Sequence, residues 1–431
     1  MATPRRIRIL ALLVAGLVLL AACTSSSAEA DSAPPERTGD SSEAPTPTTS
    51  GDNTTVTADP AVPLDPPLVS ELDSPPSALD DMFNASFPPP LIPPEEVLSG
   101  GPPPDGIPAI DDPKFAPIDE IDFIADNEPV LVLDIDGDVR AYPIQIMIWH
   151  EIANDVVGGV PVTVSFCPLC NSAVAFKRTQ PDGTILDFGT SGRLYFSSLV
   201  MYDRQTETLW THFDGTAVIG VLTGTVLEKI PLSTVSYRDF REAHPEGLVL
   251  TKDTGFTRNY GRNPYPGYDD VNTAPFLFRG EADGRLPAQT KVIAVRGETE
   301  TVAVTQEYLA EERVIPFEVD GTGVVALLEP GTSSGLDSVN IAEGREVGAT
   351  GVFIPEVDGQ TLTLSADGDS GFVDAETSTR WNILGEAVEG PLAGSELPKV
   401  EHLDTFWFAI AAFNPDTVVI TADGVLAPEA D

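Results

Sequence analysis

Basic side chains are scarce in this chain. Its 431 residues carry 24 Lys and Arg against 67 Asp and Glu, for a formal net charge of −43. A surface this acidic repels phosphate backbones and anionic headgroups, which excludes direct binding to nucleic acid or to a lipid surface. Beyond that exclusion the charge reads as a solvated, salt-tolerant exterior. Cysteine is scarcer still, with three in all, and there are four histidines. Three cysteines cannot supply the two C-x-x-C pairs of a zinc ribbon. The sequence also has no H-E-x-x-H element, G-x-S-x-G elbow or phosphate loop, so any catalysis uses some other arrangement. Long apolar runs are limited to residues 9–22, and no other segment is long enough to span a bilayer.

That run belongs to an N-terminal signal. Arg5, Arg6 and Arg8 precede it, and Leu20, Ala21, Ala22 and Cys23 close it. A charged n-region, a short apolar stretch and small residues before the cut describe a secretory signal over residues 1–22. A cysteine directly after them resembles the lipobox of bacterial lipoproteins. The resemblance implies a diacylglycerol thioether on Cys23 and a chain held by lipid alone, at the outer face of the cytoplasmic membrane or in the cell envelope. Residues 23–110 are rich in Ser, Thr, Pro and acidic side chains, as in TSSSAEADSAPPERTGDSSEAPTPTTSGDNTT and GGPPPDGIP. Such a composition buries too little apolar surface to offset ordering entropy, so the stretch reads as a disordered tether. Within it, 82–97 has enough Phe, Leu and Pro to lie along a folded surface.

The rest of the chain, where a hydrophobic fraction of 42% overall supports a core, resembles itself. DRQTETLWTHFDG pairs with DAETSTRWNILGE, matching Asp203 to Asp374, Thr206 to Thr377 and Trp210 to Trp381. Gly220, Gly224 and Leu227 then meet Gly390, Gly394 and Leu397 after a one-residue slip, and Pro245 meets Pro415. This divides the folded part into tandem repeats over 111–275 and 276–431. VVGGVPVTVSFCPLC aligns with EVDGTGVVALLEPGT, so Cys167 and Cys170 face Glu329, Pro330, Gly331 and Thr332, and His150 has no counterpart near Glu312. Residues kept in both copies serve the shared fold. Those found only in the first copy are the better candidates for chemistry. Runs at 130–133, 139–142, 160–166, 173–177 and 184–188 predict strands, with a turn at Pro181-Asp182-Gly183. IQIMIWHEIAND predicts a short helix, as do 235–244 and 403–413. The fold class is α+β, mainly β, with a sheet and two short helices in each repeat.

SFCPLCNSA holds the most distinctive chemistry. Asn171 stands where covalent haem attachment needs histidine. The pair Cys167 and Cys170 then has three readings. A structural disulfide suits an exported protein, yet it would close too small a loop to stabilise much. Thiol redox chemistry places C-x-x-C after a strand, but a hairpin rather than a helix is expected to follow here. Metal binding needs further ligands, and His150 in IWHEIAND is the nearest, with copper or zinc suited to thiolate and imidazole. Glu151 is adjacent but points elsewhere on a helix, and His212 and His244 read as ordinary hydrogen-bonded residues. Other first-copy features are FGTSGRLYFSSLVMYDR, with Arg193 and Tyr195, and KDTGFTRNYGRNPYPGYDD, with Arg258, Tyr260, Tyr265 and Tyr268. The second either lines a pocket or forms an arm that locks the copies together. Asp203, retained as Asp374, reads as structural.

YPIQIMIWHEIANDVVGGVPVTVSFCPLCNSAVAFKR, FGTSGRLYFSSLVMYDRQTETLW, AHPEGLVLTKDTGFTRNYGRNPYPGY and DTFWFAIAAFNPDT together resemble the bacterial and archaeal domain-of-unknown-function family 3179. The resemblance implies an exported protein or lipoprotein and directs attention to Trp149, His150, Glu151, Cys167, Cys170, Arg193 and Asp203, but supplies no activity. The leading expectation is a surface-tethered protein whose first repeat binds a transition metal through Cys167, Cys170 and His150. Trp149, Glu151, Arg193, Tyr195, Arg258 and Tyr260 are its candidate pocket residues. A thiol–disulfide oxidoreductase or metalloenzyme, and a non-catalytic interaction module, stand as alternatives. Whether the protein turns over a substrate, and which protein or small molecule it meets, stays open.

Overall fold

Short apolar alternations punctuated by tight turns build most of the chain into antiparallel strands. The computed structural model describes residues 66–280 and 282–428, all within the unit Pro60–Asp431. The expected signal, Cys23 and the first part of the tether lie outside the described residues. Strands β1 (Pro129–Ile135) and β2 (Asp138–Pro143) form a hairpin. Its two turn residues, Asp136 and Gly137, have φ of +53° and +83°, the left-handed pair that suits strand twist. Helix α1 (Ile144–His150) ends where Glu151 takes φ +59°. The chain then enters the meander β3 (Ile152–Val157), β4 (Val160–Cys167) and β5 (Ser172–Lys177). The helix expected over IQIMIWHEIAND therefore stops at His150, because the left-handed cap redirects the chain and carries Ile152 and Ala153 into the core.

A second hairpin, β6 (Phe188–Tyr195) with β7 (Ser198–Asp203), lies against this meander. The strand expected at 184–188 shrinks to one bridge, Thr179 opposite Ile185. The turn before it does form, with Gly183 N–H donating to the Gln180 carbonyl at 2.9 Å. Strand β8 (Ser233–Ser236), helix α2 (Tyr237–Ala243) and strand β9 (Leu248–Leu250) close the first half. The helix predicted from Val235 starts later because the Ser236 side chain caps it, accepting from Asp239 N–H.

In the second half β10 (Lys291–Arg296), β11 (Thr301–Thr305), α3 (Gln306–Glu312), β12 (Val314–Val319), β13 (Thr322–Glu329) and β14 (Ala349–Phe353) follow in turn. β15 (Leu403–Phe406), α4 (Trp407–Phe413) and β16 (Val418–Thr421) complete it. The expected helix over 403–413 is thus a strand followed by a helix, as at Ser233–Ala243 in the first half. One sheet runs β12-β13-β14-β8-β1-β2-β9 and ends on Phe115–Pro117; another runs β15-β10-β11-β16 and ends on Gly424–Leu426. The orders β8-β1-β2-β9 and β15-β10-β11-β16 correspond, each ending in a parallel pairing. The first of these sheets mixes strands from both halves, joined where Thr234 faces Thr350. With many strands and short helices, the fold is α+β and mainly β.

Buried aromatic side chains anchor both halves. The Trp210 and Trp381 indoles each donate to a buried aspartate, Asp203 at 2.9 Å and Asp374 at 3.0 Å. Those aspartates also cap their own loops through Thr206 and Thr377. Asp203 is thus held in a loop-closing role. Residues 66–110, read as part of the tether, instead pack on the folded body. Ala78, Val97, Ala109 and Ile110 are buried, Leu98 pairs with Leu194, and Gly100 N–H donates to the Gly192 carbonyl at 2.8 Å. Met82, Phe87 and Ile92 carry part of this docking within 82–97, the stretch whose Phe, Leu and Pro content suggests it. Composition missed the flanking parts, which dock through single side chains and short pairings. No helix of the described residues is long and apolar enough to cross a membrane.

Candidate functional site

β4 delivers Cys167 to the core, and a turn closed by Asn171 at φ +50° returns the chain so that Ser172 stands opposite Cys167. Cys170 lies inside that turn. Both cysteines are free and buried. The second half of the chain fixes the turn, since the Cys170 carbonyl accepts from Thr405 Oγ1 at 2.9 Å and Phe406 N–H at 3.1 Å. The two thiols differ in surroundings. Burial alone would raise Cys170, but contact with the Cys167 thiol and the Ser172 and Ser198 hydroxyls, 3.0 and 3.4 Å from its sulfur, brings it below its ordinary value. Burial pushes Cys167 well up, and Cys170 pushes it the same way. Cys170 is thus the more acidic thiol of the pair and Cys167 the less.

Glu151 supplies the third group. The left-handed cap that ends α1 turns this residue inward, and its carbonyl accepts from Phe166 N–H at 2.8 Å, next to Cys167. Burial raises its carboxyl well above the usual range, with Cys167 adding to the shift. The second half repeats this geometry with different chemistry. Arg313 caps α3 at φ +62° and its carbonyl accepts from Leu328 N–H at 2.9 Å, so Arg313 and Glu329 occupy the places of Glu151 and Cys167. There the two side chains form a partly buried ion pair at 2.7 Å. A matched pair in one half is replaced in the other by two neighbouring acids without a counter-ion. That substitution weakens a packing explanation of the first-half residues.

Further polar groups collect around the thiols. Leu199 N–H donates to Cys167 Sγ at 3.4 Å and its carbonyl accepts from His212 N–H. The His212 ring is fully buried near Cys167; burial holds it below its ordinary pKa, and neither ring nitrogen has an aligned partner. The Tyr268 hydroxyl accepts from Phe276 N–H at 3.0 Å and lies beside Ser197 and Gln289, whose side-chain polar atoms are also unpartnered. Burial raises the Tyr265 phenol, with Glu151 and Cys167 pushing further. Above these groups opens a cleft of about 310 Å³, lined by Glu151, Leu169, Arg193, Leu199, Tyr265 and Tyr268 among others. A raised acid and a phenol on the cleft wall, with the thiol pair buried behind them, are groups that can move protons and support sulfur exchange.

The expected cluster is redistributed. His150 does not join the cysteines; its Nδ1 contacts the Pro108 carbonyl and its Nε2 the Tyr260 hydroxyl, both at 2.7 Å. α1 ends at His150, so the following residue, not the histidine, turns toward the thiols. Among the described residues no three His, Cys, Asp or Glu side chains are grouped to hold a metal ion. Glu151 and Arg193 do line the cleft. Trp149 donates to the Arg262 carbonyl, Tyr195 packs on Phe196 and Phe413, and Tyr260 bridges His150 and Thr254. Arg258 donates only to a neighbouring carbonyl. The arm KDTGFTRNYGRNPYPGYDD serves both expected purposes. Asn263 and Gly267 N–H groups donate to Val339 and Asp337 of the second half, while Tyr265 and Tyr268 cover the cleft. His244 faces Glu386 at 3.1 Å. Of the arm residues offered as pocket lining, Tyr265 and Tyr268 line the cleft and Arg258 and Tyr260 do not. His212, read as an ordinary hydrogen-bonded residue, lies near Cys167, and Ser198 carries no signal in the sequence.

All of the thiol surroundings fall within residues 104–417, the stretch that matches the family described as a protein of unknown function, DUF3179. The chain belongs to the DUF3179 family. No curated protein and no solved structure matches it. The cleft of this DUF3179 protein extends slightly beyond the matched stretch, because Gly100 and Pro102 form part of its wall.

Proposed function

We propose that this DUF3179 protein is a thiol–disulfide oxidoreductase, with Cys167 and Cys170 as its dithiol and Glu151 as proton carrier. The observation that carries the reading is the replacement, at equivalent places, of the Arg313–Glu329 ion pair by Glu151 beside Cys167. Cys167 lies under the cleft floor formed by Glu151 and Leu199. After passing its proton to Cys170, it attacks one sulfur of a substrate disulfide. The substrate S–S bond breaks, a Cys167–substrate disulfide forms, and the leaving thiolate takes the Glu151 proton. Cys170 then gives its proton to Glu151 and attacks the Cys167 sulfur. The second substrate thiolate leaves and is protonated in turn. Two electrons pass from the thiol–thiolate pair to the substrate, which becomes two thiols by taking two protons, one from Glu151 and one from Cys167 relayed through Cys170 and Glu151. Glu151 then regains its proton from solvent. Lipid attachment at Cys23 would hold this centre outside the cytoplasmic membrane, where disulfides persist.

Equilibration of the full-length protein with glutathione at graded redox ratios, read by alkylation and mass, tests the reading. Both thiols should disappear together in one two-electron transition that Cys170→Ser abolishes. Thiols that stay reduced across the series would overturn the proposal. So would near-stoichiometric copper or zinc lost in Cys167→Ser; that result would restore the metal expectation with unpartnered His212, not His150, as the candidate third donor.

A further inference from the structure

The cleft above Cys167 carries one cation, Arg193. In the first half, Arg140, Arg178 and Arg204 each sit within 3.2 Å of a carboxylate oxygen. Arg193 does not; its guanidinium gives one hydrogen bond, to the Leu79 carbonyl at 3.0 Å. Arg258, Arg262 and Arg296 likewise take no carboxylate partner among the described residues, but of these four arginines Arg193 alone lines the cleft. Its backbone is fixed by pairing with Ser99 on one side and Val200 on the other. The neighbouring wall is fixed as well, since Gly192 at φ +71° lets the Pro102 carbonyl approach to where a Cβ would stand. Two further groups lining the cleft, the Glu151 carboxyl and the Tyr265 hydroxyl, take no hydrogen bond within the described residues. Leu169, Leu194 and Leu199 make the remaining surface apolar.

We propose that this cleft binds a small organic acid with a ring-sized apolar body, its carboxylate anchored by Arg193. A guanidinium offers a planar fork of donors that matches a carboxylate, and a partly desolvated site strengthens the pairing. A volume of about 310 Å³ is at the small end for ligand sites and takes one ring with a short substituent. The inference rests on the dithiol reading only in naming what meets Cys167: substrates would be thiols or disulfides that carry such an acid.

Calorimetric titration of the full-length protein with phenylacetate, and with phenylacetamide as its neutral match, tests the site. Phenylacetate should bind the wild type and lose at least tenfold in affinity in Arg193→Gln, while the amide binds more weakly and equally to both. Arg193→Lys should recover part of the loss. Absent phenylacetate binding, or equal binding in Arg193→Gln, overturns the proposal. Cys167→Ser should bind phenylacetate like the wild type, so an inert thiol pair would sink the redox reading alone, and an empty cleft the ligand reading alone.

Discussion

Replacing Glu151 with glutamine should stabilise this protein at neutral pH, although the residue is buried and conserves its shape. The folded chain keeps a proton on Glu151 that the unfolded chain has released, because burial and Cys167 raise this carboxyl well above the ordinary value of about 4.3. The stability linked to that proton is present in full below the unfolded value and is lost as pH rises toward the folded one. Each pH unit across that window removes about 1.4 kcal/mol. Glutamine copies the neutral acid and cannot release a proton, so Glu151→Gln should match the wild type near pH 4 and exceed it progressively as pH rises. Urea unfolding under reductant between pH 4 and 7.5 measures both profiles, below the range where the raised Cys167 and Tyr265 groups titrate. The equivalent change in the other half removes one partner of an ion pair. Glu329→Gln leaves Arg313, paired at 2.7 Å, without its counter-ion, and should cost about 1–3 kcal/mol, because Arg313 is partly exposed and keeps the Leu328 and Gly368 carbonyls while burial raises the Glu329 carboxyl. Parallel wild-type and Glu151→Gln profiles would refute the claim that Glu151 is held neutral.

Two further changes test how the cleft is supported. Tyr260→Phe removes the partner of buried His150 Nε2 and should lower stability by about 1–3 kcal/mol in urea unfolding; a loss below about 0.5 kcal/mol would mean the bond does not hold the arm on α1. Gly192→Ala would put a Cβ into the Pro102 carbonyl at φ +71°. It should detach the 98–110 wall and speed its proteolysis, and an unchanged cleavage rate would show that the wall docks independently of this contact.

The sequence by itself determined the strands around Cys167, the mainly β character, the correspondence of Trp210 with Trp381 and the membership of the DUF3179 family. Each of these depends on local alternation or on residues read in chain order. It also directed attention to the thiols, since Glu329 stands where Cys167 would be in the second half. Tertiary structure decided which groups meet them. Glu151 rather than His150 faces Cys167 because one left-handed residue ends α1, a backbone choice that side-chain identity barely signals. The turn holding Cys170 is fixed by Thr405, 235 residues away, and the cleft is roofed by tyrosines from an arm about 100 residues on. Residues 98–110 became a wall instead of a tether through a few close contacts at glycine. Such contacts join distant parts of the chain, and their energy arises only when the fold brings those parts together.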